Sequence, residues 1–203
     1  MINAVKIIIM LVLGYLFGCI NSSIILTRLI EKKDVRDFGS GNAGFTNTLR
    51  NFKKRTAMLV FAGDALKAAI VLVIAIIIAP DNQYVLFAAS IGVVIGHNFP
   101  VFYGFKGGKG ILVSSVAVFF ADWRIGLIIF VVSVLIMFIT KYVSVGSLTG
   151  SAMLILLAFL WHRGQPEFLL FSIIISSLSI YMHRENIKRL AKGTENRFGR
   201  NKA

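Results

Sequence analysis

The chain of 203 residues has one cysteine, three prolines and nine acidic side chains, and each scarcity excludes something. A single cysteine rules out an internal disulfide and any cysteine-cluster metal site. Cys19 lies inside an apolar stretch and reads as a small packed side chain. The nine acidic residues face 22 basic ones, a net charge of +13. That balance alone would suggest a nucleic-acid partner, but the basic residues are interleaved with long apolar runs, the pattern of loops flanking membrane spans, so no nucleic acid is expected. Polar interruptions are also scarce. Apolar residues make up 57% of the chain and mean hydropathy is +0.80. Stretches 71–79 and 126–139 are nearly uninterrupted, as helices solvated by lipid require. A soluble domain of this size needs a polar outer face and cannot carry such runs. Lys6 before an apolar stretch resembles a signal sequence, yet the stretch runs to about Ile30 and more follow, so it reads as an uncleaved first helix. No internal repeat supports the inverted-repeat design of many transporters.

The fold class expected is an all-α integral membrane protein, one transmembrane catalytic domain over 1–203. Seven apolar segments can be drawn, at 4–30, 56–79, 84–99, 110–121, 125–140, 145–161 and 167–182. Several are shorter than the roughly 20 residues needed to cross a bilayer, which implies short or tilted helices. The three prolines fall between segments or at their edges, as Pro80, Pro100 and Pro166. Whether 110–140 is one helix or two is decided by charge. With two, every Lys and Arg except Lys6, Lys67, Arg124 and Arg163 falls on one side of the membrane. The positive-inside rule makes that side cytoplasmic, with the N-terminus outside and the C-terminus inside.

The loops on that side, about 36–55, 101–110 and 141–146, and the tail 183–203 carry the candidate chemistry. The first contains Gly39-Ser40-Gly41-Asn42-Ala43-Gly44-Phe45-Thr46-Asn47, followed by Arg50. Closely spaced glycines let several backbone N–H groups converge, the hydroxyls and amides add donors, and the arginine adds charge. A phosphate-binding nest needs this combination, and a simple linker does not. The second loop ends Lys106-Gly107-Gly108-Lys109-Gly110 at the start of an expected helix, where glycine backbone, lysines and a helix N-terminus favour an anion. It is not a Walker A loop. In the tail, His183, Asn186 and Leu190 share a face if the last helix continues, although a basic amphipathic tail lying on anionic lipid would look similar. Asp64 and Lys67, three apart in the second span, form either a functional intramembrane pair or a local one that brings both into the bilayer. His97 is expected to be structural or secondary, beside Pro100.

Three ordered motifs then point to a family. They are Ser40-Gly41-Asn42-x-Gly44-x-Thr46-Asn47-x-x-Arg50; His97-x-x-Pro100-Val101-Phe102-x-x-Phe105-Lys106-Gly107-Gly108-Lys109-Gly110; and His183-Arg184-x-Asn186-Ile187-x-Arg189-Leu190-x-x-Gly193. They resemble the signatures of the bacterial acyl-phosphate:glycerol-3-phosphate acyltransferases across nearly the whole chain. The resemblance implies a multi-pass enzyme of the bacterial cytoplasmic (inner) membrane with a cytoplasmic active site. It would convert fatty acyl phosphate and sn-glycerol 3-phosphate to lysophosphatidic acid and phosphate, without metal or cofactor. It also implies that Ser40, Gly41, Asn42, Gly44, Thr46 and Asn47 hold the acyl phosphate. Arg50, Lys106, Lys109, Ser144, His183 and Asn186 would hold glycerol 3-phosphate, and Gly107, Gly108 and Gly110 would shape the second loop. His183, Asn186 and Lys109 are the catalytic candidates. The other expected partners are membrane lipid and a functionally coupled soluble enzyme that makes acyl phosphate.

The loops contain no Ser-His-Asp order, catalytic cysteine or carboxylate pair. An acyl phosphate is already activated, so direct transfer is expected rather than a covalent acyl-enzyme, with His183 or a substrate phosphate as base. Two positions depart from the family pattern. Phe45 stands where alanine is usual, and Ile111-Leu112-Val113 replaces the common Val-Ala-Thr. An anion transporter is the alternative, but it requires polar residues along the spans beyond scattered serines such as Ser172, Ser176, Ser177 and Ser179.

Overall fold

The computed structural model describes residues 2–198, and among these there is helix and turn but no strand. Ten α-helices follow in order: α1 (Ile2–Cys19), α2 (Ser22–Ile30), α3 (Phe45–Asn51), α4 (Lys54–Ile78), α5 (Gln83–Asn98), α6 (Ile111–Ala121), α7 (Trp123–Thr140), α8 (Val143–Trp161), α9 (Pro166–Met182) and α10 (Arg184–Ala191). They divide into two compact units, one ending at Ala121 and the other beginning at Asp122. Five helical stretches are long and apolar enough to cross a membrane, or six if the bent pair α9–α10 is one span. The seven segments drawn from sequence thus include weaker members. The 11 residues of α6 reach only about 16 Å, roughly half a hydrocarbon core. The 110–140 stretch is two helices, because Asp122 ends the first and caps α7, accepting from the N–H of Arg124 at 2.9 Å and of Ile125 at 3.4 Å.

In the first unit, α1 packs on α5 through two small-residue stripes, Gly14 and Gly18 against Gly92 and Gly96. A methyl at any of the four would strike backbone of the other helix. Lipid supplies no hydrophobic drive between helices, and such close approach replaces it with dispersion contact. Core side chains here include Met10, Cys19, Val71, Leu72 and Val93, all fully buried. Ile8, Leu66 and Ile77 stand more than half exposed, which fits a surface that meets lipid.

The 4–30 segment is not one helix. It breaks after Cys19, and Asn21 caps α2 by accepting from the N–H of Ile24 at 3.0 Å. A break in an apolar stretch exposes backbone carbonyls and amides that lipid cannot satisfy. Asp64 and Lys67 of α4 meet that need. The Lys67 ammonium donates to the carbonyls of Gly18 at 3.1 Å and Ile20 at 2.7 Å at the end of α1. Asp64 accepts from the N–H of Ser22 at 3.4 Å at the start of α2 and pairs with Lys67 at 2.9 Å. Cation meets helix C-terminus and anion meets helix N-terminus, the favourable sign at both ends.

The second unit is joined by small and hydroxyl residues. Gly146 and Gly150 of α8 lie against Ser133 of α7. Ser151 of α8 bonds the hydroxyl of Ser179 at 2.7 Å and accepts at its carbonyl from Ser176 at 2.8 Å. The buried serines of α9 are therefore helix-packing groups; Ser172 turns inward to its own helix at Phe168.

Lys67→Met is expected to destabilise the protein by about 3–5 kcal/mol, because Asp64 is left as an uncompensated buried charge. Adding Asp64→Leu should recover only part of this, since the ends of α1 and α2 remain uncapped. Thermal unfolding of the detergent-solubilised single and double variants measures both.

Candidate active site

The two glycine-rich loops of the first unit are in contact. The N–H of Ala43 donates to the carbonyl of Gly107 at 3.4 Å, and Asn21 reaches from the helix break to donate to the carbonyl of Ala43 at 3.4 Å. A second tie runs from Arg36 Nη1 to the carbonyl of Tyr103 at 3.0 Å. Beneath these lies a small apolar cluster of Ile24, Val35 and Ala43, with Phe52 and Tyr103 against it. Asp34 orders the approach by bonding both Arg28 and Arg36. The Arg36 guanidinium, with help from Arg28, holds its carboxyl far below the usual carboxylate range.

Within the first loop, Ser40 and Gly41 are exposed and Asn42 and Thr46 half-buried. Gly41 has φ +70°, a left-handed conformation that favours glycine. Gly44 is extended and leads directly into α3, whose first-turn amides have no carbonyl one turn back to accept them. Asn47 has a different part from its neighbours. Its amide is buried and committed to the backbone, accepting from the N–H of Ser40 at 3.1 Å and donating to the carbonyls of Val35 at 3.1 Å and Phe38 at 2.9 Å. It holds the loop's shape. Phe45, the first departure from the family pattern, packs edge-on against Phe61 of α4 with centroids 5.4 Å apart. Arg50 lies exposed in the last turn of α3.

The second loop folds back over the end of α5. The N–H groups of Gly107 and Gly108 donate to the carbonyls of Asn98 and His97 at 3.2 and 3.0 Å. Only glycine fits at 108, where a Cβ would strike the His97 ring and lie 2.6 Å from the carbonyl of Ala43. Lys106 is exposed and Lys109 half-buried, and Gly110, with φ +75°, turns the chain into α6. Val113, within the second departure, is a fully buried core residue.

The second unit assembles its own cluster. Ser144 at the start of α8 and Asn186 of α10 both donate to Glu195 Oε1, at 3.0 and 2.6 Å, while Arg189 donates to Oε2 at 2.7 Å. Burial pushes the Glu195 carboxyl up, but its bonds from Asn186, Arg189 and Ser144 outweigh this and hold it below its ordinary value. The last helix does not run straight on. The chain bends by 56° between α9 and α10, and His183 stands at the bend, buried, its Nδ1 2.8 Å from the carbonyl of Ser179. A carbonyl only accepts, so Nδ1 carries a proton and the neutral ring has its lone pair on Nε2. The tail is also pinned to the 141–146 turn, since Phe198 donates to the carbonyl of Lys141 at 2.7 Å and Arg197 to the hydroxyl of Tyr142 at 3.2 Å. Residues 199–203 of the expected tail lie outside the described residues.

Glu195 was not among the expected site residues. The signal available in sequence was its sign, an acid in a strongly basic tail. Asp64, Lys67 and His97 are brought together in the first unit, with Lys67 Nζ 3.0 Å from His97 Nδ1.

Because the Glu195 carboxyl titrates lower when folded, its bonds stabilise the protein fully above the ordinary glutamate value of 4.5. That stability is lost as pH falls through the folded value. In Glu195→Gln an amide replaces the Oε2 that Arg189 needs. The variant should unfold at lower temperature than wild type near pH 7, with the gap closing as pH falls from the ordinary value of 4.5 through the lower folded value. Unfolding midpoints across pH would contradict this if the gap stayed constant.

Comparison with known proteins agrees with the motifs. The family model described as glycerol-3-phosphate acyltransferase matches residues 8–193. A glycerol-3-phosphate acyltransferase of Thermoanaerobacter pseudethanolicus is 45% identical over 189 residues, covering 93% of each chain. One from Halalkalibacterium halodurans is 40% identical, covering 95% of this chain and 96% of that one. The crystal structure of PlsY (YgiH), an integral membrane glycerol 3-phosphate acyltransferase in its glycerol 3-phosphate form, superposes with a TM-score of 0.86 at 37% identity, covering 95% of this chain and 96% of that one. Its lysophosphatidic acid form superposes with a TM-score of 0.83 at the same identity. With its long apolar helices, the chain is an integral membrane protein of bacterial type, and it belongs to the glycerol-3-phosphate acyltransferase family.

Proposed function

We propose that the protein transfers a fatty acyl group from acyl phosphate directly to glycerol 3-phosphate, giving lysophosphatidic acid and inorganic phosphate. The observation that carries this reading is the contact between the two glycine-rich loops through Ala43 and Gly107. It supports two anion sites side by side, as a donor phosphate and an acceptor phosphate require. The acceptor and product named for the solved relative agree with this choice of substrates.

In this reading Ser40, Gly41, Asn42, Gly44 and Thr46 receive the donor phosphate, and Asn47 keeps their loop in shape. Arg50, Lys106 and Lys109 supply charge for glycerol 3-phosphate, and Ser144, His183 and Asn186 supply polar contacts to it. The acceptor hydroxyl oxygen bonds to the acyl carbon, and the bond from that carbon to the phosphate oxygen breaks. The hydroxyl proton passes to His183 Nε2 or to a phosphate oxygen, and phosphate departs. Loop N–H groups and Lys109 stabilise the charge gathering on it. Positioning and charge then account for the catalysis, since the mixed anhydride needs no further activation. The basic loops argue for seven crossings, with the N-terminus outside and both loops and the tail cytoplasmic. There the protein would receive acyl phosphate from a soluble enzyme that makes it.

Phosphate release from palmitoyl phosphate by the purified protein in detergent tests the reading. Release should depend on glycerol 3-phosphate and fall on the order of 10²-fold or more in Lys109→Ala and in Asn186→Ala. Folded protein that releases no phosphate with any chain length would contradict it.

A further inference from the structure

The acyltransferase reading gives Lys67 and His97 no part in chemistry, yet both are buried and face each other 3.0 Å apart. An ammonium has three hydrogens. Lys67 already has three oxygen acceptors, the Asp64 carboxylate at 2.9 Å and the carbonyls of Gly18 and Ile20 at 3.1 and 2.7 Å. These suffice for its charge and for the end of α1. His97 Nδ1 is therefore a fourth acceptor that the ion pair does not need for its own satisfaction.

What the contact does is fix the imidazole. Four acceptors share three hydrogens, so one hydrogen is divided between Nδ1 and an oxygen. Asp64 Oδ1, 3.7 Å from Nδ1, is beyond hydrogen-bond reach, so Nδ1 accepts from Lys67 and the ring proton sits on Nε2, on the far edge. That edge lies against Gly108, where no Cβ would fit. The backbone carbonyl of His97 itself accepts from the N–H of Gly108, and Gly107 in turn accepts from Ala43 of the donor loop. One residue thus touches the ion pair with its inner edge and the turn before Lys109 with its outer edge.

We propose that His97 is a positioning residue. Clamped by Lys67, its ring serves as the wedge that sets the Gly107–Gly108 turn, and with it Lys109 and the seam with the donor loop. What the turn binds rests on the acyltransferase reading, but how the turn is held does not.

The test compares His97→Leu, which removes the acceptor, with His97→Asn, whose Oδ1 can take the place of Nδ1. Because Lys67 keeps three oxygens, His97→Leu should unfold within about 2 °C of wild type, a shift worth less than about 1 kcal/mol. Amide exchange in segment 104–112 should quicken by about tenfold in His97→Leu while the rest of the chain is unchanged, and His97→Asn should restore it. In the phosphate-release assay His97→Leu should raise KM for glycerol 3-phosphate about tenfold with little change in kcat, again with rescue by asparagine. Unchanged exchange in that segment, or quickened exchange throughout the chain with a lowered unfolding temperature, would overturn the proposal. So would faster local exchange with an unaltered KM in a protein that does transfer acyl groups. If wild-type protein transfers none, the acyltransferase reading fails while the exchange comparison still decides whether His97 holds the turn.

Discussion

The first unit depends on a charge pair placed where a helix breaks inside apolar surroundings. Lipid penalises both unpaired backbone groups and isolated charges. The Asp64–Lys67 pair sets one problem against the other, since the ammonium takes up the carbonyls that α1 leaves open and the carboxylate accepts from the first amide of α2. Breaking the helix there has a structural return. It releases Asn21 to cap α2 and to reach Ala43, so the first glycine-rich loop is tied to a fixed point. The same lysine touches His97, which backs the turn before Lys109. A buried ion pair is thus joined to both loops by short chains of hydrogen bonds and close packing.

The second unit solves a related problem with the opposite balance of charge. Its tail is basic, and the acid Glu195 draws Ser144, Asn186 and Arg189 onto one carboxylate. Two of these, Ser144 and Asn186, are acceptor-site candidates, so Glu195 draws together groups carried on separate helices. The 56° bend at His183 serves the same arrangement, because it turns α10 away from the axis of α9. A straight continuation would have left the tail as an amphipathic helix suited to a lipid surface.

The parts legible in the sequence were those in which local composition states a requirement. Glycines beside hydroxyls, amides and lysines marked the two glycine-rich loops that the fold brings into contact, and the charge distribution separated α6 from α7 at Asp122. The break at Asn21 was not legible in the same way. One polar residue is swamped in a run of apolar ones, although Asn21-Ser22-Ser23 is a sound helix-start signal. Glu195 and His97 were visible as residue types, but their roles depend on contacts across long separations in the chain. The glycine pairs at 14 and 18, 92 and 96, and 146 and 150 have the spacing of membrane packing motifs. Which helix each pair would meet required the fold. Asn47 shows the converse: its motif suggested a ligand contact, and its buried amide is devoted to the loop.

In the proposed reading, the two adjoining glycine-rich loops bind donor and acceptor together, and acyl transfer takes place in a single step between them. Steady-state kinetics with palmitoyl phosphate and glycerol 3-phosphate varied against each other test this most directly. Intersecting double-reciprocal lines, with no burst of phosphate before acceptor is added, are the predicted result. Parallel lines with such a burst would reveal an acyl-enzyme and contradict the account.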